Sequence, residues 1–185
     1  SNIAPIYGVE LDPNTMTPIS EKQELIFGNE TILGYERPGN NGIVDREASV
    51  LYQSMKQFYD PKTGKLNLPP QMANIPGLSA ESLTAMFNAI GKPYIEGAFM
   101  TKHGDTYYLQ YACPGTQYNT YADGVYTAKS PLGPFTLQAS NPFSSKPGGF
   151  MTGAGHGSTI ADKCGNYWHA STMRISVNHD FERRV

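Results

Sequence analysis

Apolar and polar positions along the chain change period twice, and the changes divide it into three stretches. Over residues 1–36 the apolar positions fall in short runs. IYGVEL alternates loosely, DPNTM supplies a turn and QELIF is a second run, so this stretch reads as strands joined by turns. Between 37 and 93 the period lengthens. RPGNNG is a loop. Val50, Leu51, Met55 and Phe58 then stand at helical spacing, which predicts a helix capped by Asp45 and running to about Tyr59, where Asp60-Pro61 stops it. KTGK turns the chain, and LPPQMANIPG reads as a Pro-rich linker. Ser79 is placed to cap a second helix, SAESLTAMFNAI, which Gly91 ends in the left-handed conformation that glycine adopts at low cost. From residue 94 the period of two returns. TYYLQYA sets Tyr107, Leu109 and Tyr111 on one face and Tyr108 and Gln110 on the other. GVYTA, the turn SPLGP, FTLQ, STIAD, the turn KCG and NYWHAST continue the same texture.

GDTYYLQYA and GNYWHAST echo each other, because each places a Gly turn before a strand that opens with paired aromatics. Echoes about fifty to sixty residues apart are what stacked propeller blades produce, although any all-β fold has Gly-headed hairpins. A four-stranded blade takes roughly forty to sixty residues. The expected fold is therefore all-β, a partial β-propeller of about two and a half blades with a helical insertion at roughly 44–92. That is too few blades to close a ring.

Composition narrows the function more than the fold. The 185 residues include 19 Gly, 14 Pro and 12 Tyr, which suits short strands, many turns and aromatic groups able to face a ring-shaped polar ligand. A formal charge of -2 gives no basic face for nucleic acid or an anionic membrane. No apolar run approaches the length of a membrane helix, and the first residues do not read as a signal peptide. Cys113 and Cys164 set no disulfide framework and read as free thiols.

The C-terminal half carries a family resemblance. YIEGAFMTKHGDTYYLQYACPGT resembles the general-acid blade of glycoside hydrolase family 43, in which an EG pair precedes a strand, a turn and an aromatic strand. YADGVYTAKSPLGPF is similar to the continuation of that blade, and GAGHGSTIADKCGNYWHA to the next. VELDPNTMTPI is similar to a late strand of an earlier one, and TMRISVNHDFERR to the following segment of one branch of the family. The resemblance covers residues 1–36 and 94–185. It implies a five-bladed propeller of which this chain is a single catalytic-domain fragment, residues 1–185. It also implies a secreted, periplasmic or cell-surface location and a carbohydrate partner. In the family a general-base Asp and an acid-modulating Asp precede the acid, and both are expected upstream of Ser1. The stretch 44–92 has no counterpart in the simplest members and is expected to stand beside the site.

Inverting hydrolysis of a glycoside needs two carboxyl groups, roughly 6.5–9.5 Å apart. Glu96 fits the acid by its neighbours Ile95, Ala98, Phe99 and Met100, since apolar surroundings raise a carboxyl pKa. From its residues alone it reads first as a solvated Glu at a strand start, because most carboxylates are solvated, and it is the resemblance that implies the acid role. His156, between glycines in GAGHGST, reads as a hydrogen-bonded turn histidine or as a group set close to an axial channel. The resemblance implies that it contacts a central ion, often calcium. Zinc is disfavoured because no second His or Cys sits at ligand spacing. His169 lies in a strand, whereas His103 and His179 read as turn or surface residues. Glu36 and Arg37 in GYERPGNN are placed either to reach a sugar hydroxyl or to form a salt-bridged loop. Trp168, Tyr108 and Tyr118 are placed to stack on a sugar or to pack a blade. Arg174 is expected in the substrate-binding part of the site.

The expected function is removal of terminal arabinofuranose- or xylose-type sugars from polysaccharides or oligosaccharides, with the 185 residues inactive alone. The alternative is a carbohydrate-binding propeller without catalysis. A serine hydrolase and a phosphate loop are both disfavoured, because GHGST and GAGHG lack the strand-to-helix settings those sites need.

Overall fold

The computed structural model describes residues 3–29, 35–42, 46–73, 79–175 and 183–184. They form two compact units, one made of Ser1–Ile43 with Pro93–Val185 and the other of Val44–Lys92.

The first unit begins with β1 (Ile6–Gly8) and β2 (Gln23–Ile26), paired antiparallel. In the expected turn between them, Asp12 Oδ1 accepts from the amides of Asn14 and Thr15 at 2.8 and 2.9 Å. These bonds to the ionised form hold the Asp12 carboxyl below its usual range.

In the second unit, α1 (Val50–Met55) is capped by Ser49, whose Oγ accepts from Tyr52 N at 3.3 Å. This corrects the expected helix start; Asp45 itself lies outside the described residues. The helix tightens to a 3-10 turn at Lys56–Phe58; Met55 is buried, Leu51, Tyr52 and Phe58 pack against the same core, and Val50 is exposed. β3 (Tyr59–Asp60) and β4 (Lys65–Leu66) then pair around KTGK, with Asp60 Oδ1 accepting from Lys62 N. The Pro-rich segment holds a short helix, α2 (Pro70–Ala73), that sequence pattern did not predict. α3 (Ala80–Ala89) is capped by Ser79 Oγ, which accepts from Ser82 N at 3.1 Å, and Gly91 follows it at φ +76, both as expected. Met55, Leu66, Leu83 and Phe87 form this unit's core, with Tyr52 stacked 5.2 Å from Phe87.

Back in the first unit, β5 (Glu96–His103), β6 (Thr106–Cys113) and β7 (Ala122–Ala128) make an antiparallel meander. The short β8 (Thr136–Leu137) and β9 (Ser144–Ser145) pair with β7. β10 (Thr152–Ala161), β11 (Tyr167–Arg174) and β12 (Arg183–Arg184) form a second meander, joined to the first by a parallel bridge from Ala154 to Ala122. The two echoing segments fall on β6 and β11. Each is the second strand of a hairpin turned by a left-handed glycine, Gly104 at φ +54 and Gly165 at φ +84. The chain is thus mostly β with few helices.

Both faces of β6 are covered, which explains how a strand with strict alternation hides a glutamine. Leu109 and Tyr111 join Ile26, Ile95 and Cys113 in the core, while Gln110 on the opposite face donates to Thr159 Oγ1 of β10 at 2.8 Å. Cys113 is buried and Cys164 exposed, and both are free. No described helix is long and apolar enough to cross a membrane.

Candidate active site

Glu96 opens β5 at a β-bulge. Glu96 pairs with Ala112 but Phe99 with Gln110, so one extra residue is inserted, and Gly97 takes it up at φ +59. A bulge with glycine in the left-handed region re-aims the neighbouring side chain. The Glu96 carboxylate accepts hydrogen bonds from two phenols, Tyr121 to Oε1 at 3.0 Å and Tyr94 to Oε2 at 3.4 Å. Burial and the adjacent Glu96 charge both raise the Tyr94 pKa. His156 Nδ1 lies 3.3 Å from the same Tyr121 hydroxyl. Its ring packs over Gly97, where a Cβ would sit 3.1 Å from it. The fold therefore gathers Glu96, Tyr94, Tyr121 and His156 from three separate segments.

The glycines around His156 make room for the protein's own side chains. A Cβ at Gly155 would lie 2.7 Å from the Tyr121 ring. One at Gly157 would lie 2.4 Å from His169 Nε2 and 2.6 Å from Asp123 Oδ2. Asp123, 1% exposed, accepts from Gly157 N at 3.0 Å and is hydrogen-bonded to His169 Nε2 at 3.0 Å. Burial raises its pKa, and the bonds from His169 and the backbone oppose the rise. His169 in turn shares a 2.9 Å hydrogen bond with Thr159. These contacts hold the backbone directly after His156, which itself sits at φ +56. Sequence reading missed Tyr121, Tyr94 and Asp123. The usable signal was Asp123 as a lone carboxylate within the otherwise apolar strand ADGVYTA.

Of the other expected site residues, Glu36 joins the segment before β5 through its backbone, its carbonyl accepting from Tyr94 N at 2.9 Å. Glu36 has no exposed surface. Its Oε1 accepts from the Tyr111 hydroxyl at 2.5 Å and its Oε2 from Asn29 N at 2.6 Å, and burial raises its pKa. This corrects the expectation that it reaches a sugar hydroxyl or a salt bridge, since both oxygens are taken inside the core. Arg37 is half-buried beside it in sequence. Arg174 is buried, and its Nη1 donates to the Gln117 carbonyl. It pairs with Thr152, at the same end of the sheet as the bridge from Ala154 to Ala122 and the pairing of Glu96 with Ala112. Tyr118 is half-buried in the loop before Tyr121, whose amide donates to the Tyr118 carbonyl. Trp168 lies toward the other end, paired with Ile160. It is 60% exposed rather than packed, and its indole donates to Asp162 Oδ2 at 2.9 Å. That bond and those from Asn166 lower the Asp162 pKa to about 2. His103 is exposed at the end of β5, and His179 lies outside the described residues.

Residues 41–185 match the family described as glycosyl hydrolases family 43. The chain belongs to that family. A thermostable family-43 glycoside hydrolase of known structure superimposes over 97% of this family-43 chain and 41% of its own, with TM-score 0.55 and 17% identity, which shows a shared fold. An endo-1,4-beta-xylanase from Bacteroides thetaiotaomicron is 25% identical over 50% of this chain and 32% of its own, with TM-score 0.45. A xylan beta-1,4-xylosidase from Bacillus halodurans is 27% identical over 44% and 16%, with TM-score 0.42. The chain thus spans less than half the length of these solved structures. No curated protein matches it.

The family resemblance implies an axial calcium. Calcium takes six to eight oxygen ligands. His156 offers a nitrogen, and its Nδ1 faces a phenol. No group of three or more His, Cys, Asp or Glu able to hold a metal lies among the described residues. These residues alone do not fit a calcium site.

Proposed function

We propose that this chain is the acid-bearing part of a glycosidase that removes terminal arabinofuranose- or xylose-type sugars by inversion, with Glu96 as the general acid. The observation that carries the reading is the seating of Glu96. A family-43 chain presents a half-buried carboxyl at a glycine bulge, oriented by two phenols and flanked by an imidazole. Such seating fixes a carboxyl within reach of a leaving-group oxygen, and positioned acids contribute roughly 10²–10⁴-fold. Tyr121 orients Glu96, and the Asp123–His169 pair fixes the backbone that carries His156. Arg174, Arg37 and Tyr118 are proposed to bound the sugar. The base is proposed to be an Asp in a different blade of a five-bladed propeller, of which this chain makes about two and a half blades. The unit Val44–Lys92 is proposed as an insertion.

The test is hydrolysis of aryl arabinofuranosides and xylosides by the full-length protein and its Glu96→Gln variant. Loss of activity on poor leaving groups, with activity largely kept on a leaving group that needs no proton, supports Glu96 as the acid. Full activity on both sinks it. The exposed Trp168 favours a second reading, a carbohydrate-binding propeller without turnover, in which sugars bind but neither protein hydrolyses them.

A further inference from the structure

We propose a second carbohydrate-binding site in the slot between the two β-meanders, separate from Glu96 and holding one neutral sugar residue of a glycan. The proposal rests on the carbohydrate reading above and adds a place where the glycan is held without being cut.

The register of the strands builds the slot. On the first meander Thr101 faces Tyr108 across the β5–β6 ladder, so both project from one face, together with His103 and Gln110 two positions along. On the second, Thr159 faces His169 across β10–β11, and Tyr167 shares their face. Side chains of both faces, with Phe143, line an open cavity of about 410 Å³. That lies within the range of small-molecule sites and exceeds what a trapped water needs. Thr101 and His103 stand five and seven residues along β5 from Glu96. At about 3.3 Å per residue this is roughly 16–23 Å from the acid, too far for one sugar residue to span both.

The two ends of the slot are bridged, and its middle is left unsatisfied. Toward the Glu96 end, Gln110 and Thr159 exchange hydrogen bonds of 2.8 and 3.1 Å, and Thr159 bonds His169. At the hairpin-turn end, His103 Nδ1 lies 2.5 Å from the Tyr167 hydroxyl, with the rings edge to face. Between these bridges, the Thr101 hydroxyl, the Tyr108 hydroxyl and His103 Nε2 have no hydrogen-bond partner among the described residues. Three half-buried or exposed rings, Tyr108, Tyr167 and Phe143, supply apolar faces. A sugar combines an apolar C–H face with a rim of hydroxyls, and this wall offers stacking rings and free polar groups at the same spacing. Among the described residues no Lys, Arg, Asp or Glu lines the slot, which suits a neutral pentose or hexose rather than an acidic one.

The experiment titrates the 185-residue chain with L-arabinose, D-xylose and xylotetraose, read by protein NMR shifts and calorimetry. The variants are Glu96→Gln, Tyr167→Ala and Thr101→Val. Tyr167 is half-exposed, and Thr101→Val keeps the shape while removing one hydroxyl, so both variants test the slot with the fold checked by thermal melting. Saturable binding to one of the three sugars is expected, with shifts in β5, β6 and β11. It should be unchanged in Glu96→Gln and weakened about tenfold in Tyr167→Ala, the scale of one lost stacking contact. Absence of saturable binding overturns the slot. So does binding that Glu96→Gln abolishes and Tyr167→Ala and Thr101→Val leave intact. If Glu96→Gln in the full-length protein retains full turnover while slot binding persists, the catalytic reading fails and the slot stands.

Discussion

Glu96 and Glu36 are held by the same chemistry and are set for different work. Each carboxylate accepts a hydrogen bond from a tyrosine, Tyr121 just before β7 for Glu96 and Tyr111 on β6 for Glu36. Glu36 is sealed, both oxygens are satisfied by the chain itself, and burial makes its charge costly. Glu96 sits half-exposed at a bulge, bonded by Tyr94, which is exposed, and by Tyr121, which is buried. The local partner does not decide the role of a carboxyl here; access does. A buried, fully bonded carboxylate is part of the architecture. One that keeps a face toward solvent while its orientation is fixed is available to a substrate.

The strongest way to break this comparison is to remove each acid and ask which measurement collapses. Glu96→Gln in the full-length protein should lower turnover of unactivated glycosides by roughly 10²–10⁴-fold. It should move thermal stability by no more than about 0.5 kcal/mol, because an amide keeps hydrogen-bonding capacity at a half-exposed position. Glu36→Ala should do the reverse. It strands the Tyr111 hydroxyl and the Asn29 amide in the core and should cost about 1–3 kcal/mol of stability, measured by denaturant unfolding. A large stability loss in Glu96→Gln, or none in Glu36→Ala, would erase the distinction.

Local features were legible in the sequence, and long-range ones were not. The Ser79 cap, the Gly91 stop, the Asp12 turn and the two Gly-headed hairpins were readable because each depends on residues within a few positions of one another. The first helix was misplaced by four residues because Asp45 and Ser49 are both good caps, and the choice falls to packing of Leu51 and Met55 against Leu83 and Phe87. The site was half legible. Glu96 and His156 stood out through the family resemblance. Tyr111 lies 75 residues from Glu36 and His169 lies 46 from Asp123, so no window along the chain connects them. From sequence, the glycines beside His156 allow a turn or a close approach to an axial channel. The space beside them is filled by Tyr121, His169 and Asp123, because the absence of a Cβ says that something comes close without saying what.

Smaller effects sharpen the Glu96 side. Gly157→Ala places a Cβ within 2.4 Å of His169 Nε2 and should cost about 1–3 kcal/mol of stability through overpacking. It should also lower activity, by shifting the backbone that carries His156. Tyr121→Phe keeps the ring that fills the space over Gly155 and deletes only the hydroxyl donated to Glu96. Its expected cost is about 0.5–1.5 kcal/mol in kcat/KM, a factor of roughly two to twelve, with the melting temperature little changed. An unchanged kcat/KM would mean that Tyr121 packs the site without orienting the acid.

The finest distinction is in pH dependence. Burial raises the Glu36 pKa above the ordinary 4.5, so across that interval the folded state binds more protons than the unfolded state. Below 4.5 both states are protonated and Glu36 adds nothing to the pH dependence. As pH rises through the interval the unfolded chain ionises first, so stability falls, and above the folded pKa the loss is complete and constant. Asp123, also raised by burial, contributes with the same sign from its own lower ordinary value. Glu36→Gln can still accept from Asn29 N through its amide oxygen and donate to Tyr111 through its amide nitrogen. It should therefore keep the fold while reducing the decline in melting temperature above pH 4.5 to the part due to Asp123. A variant whose melting temperature falls with pH as steeply as the parent's would show that Glu36 ionises as freely in the fold as in the unfolded chain, and the contrast with Glu96 would then rest on geometry alone.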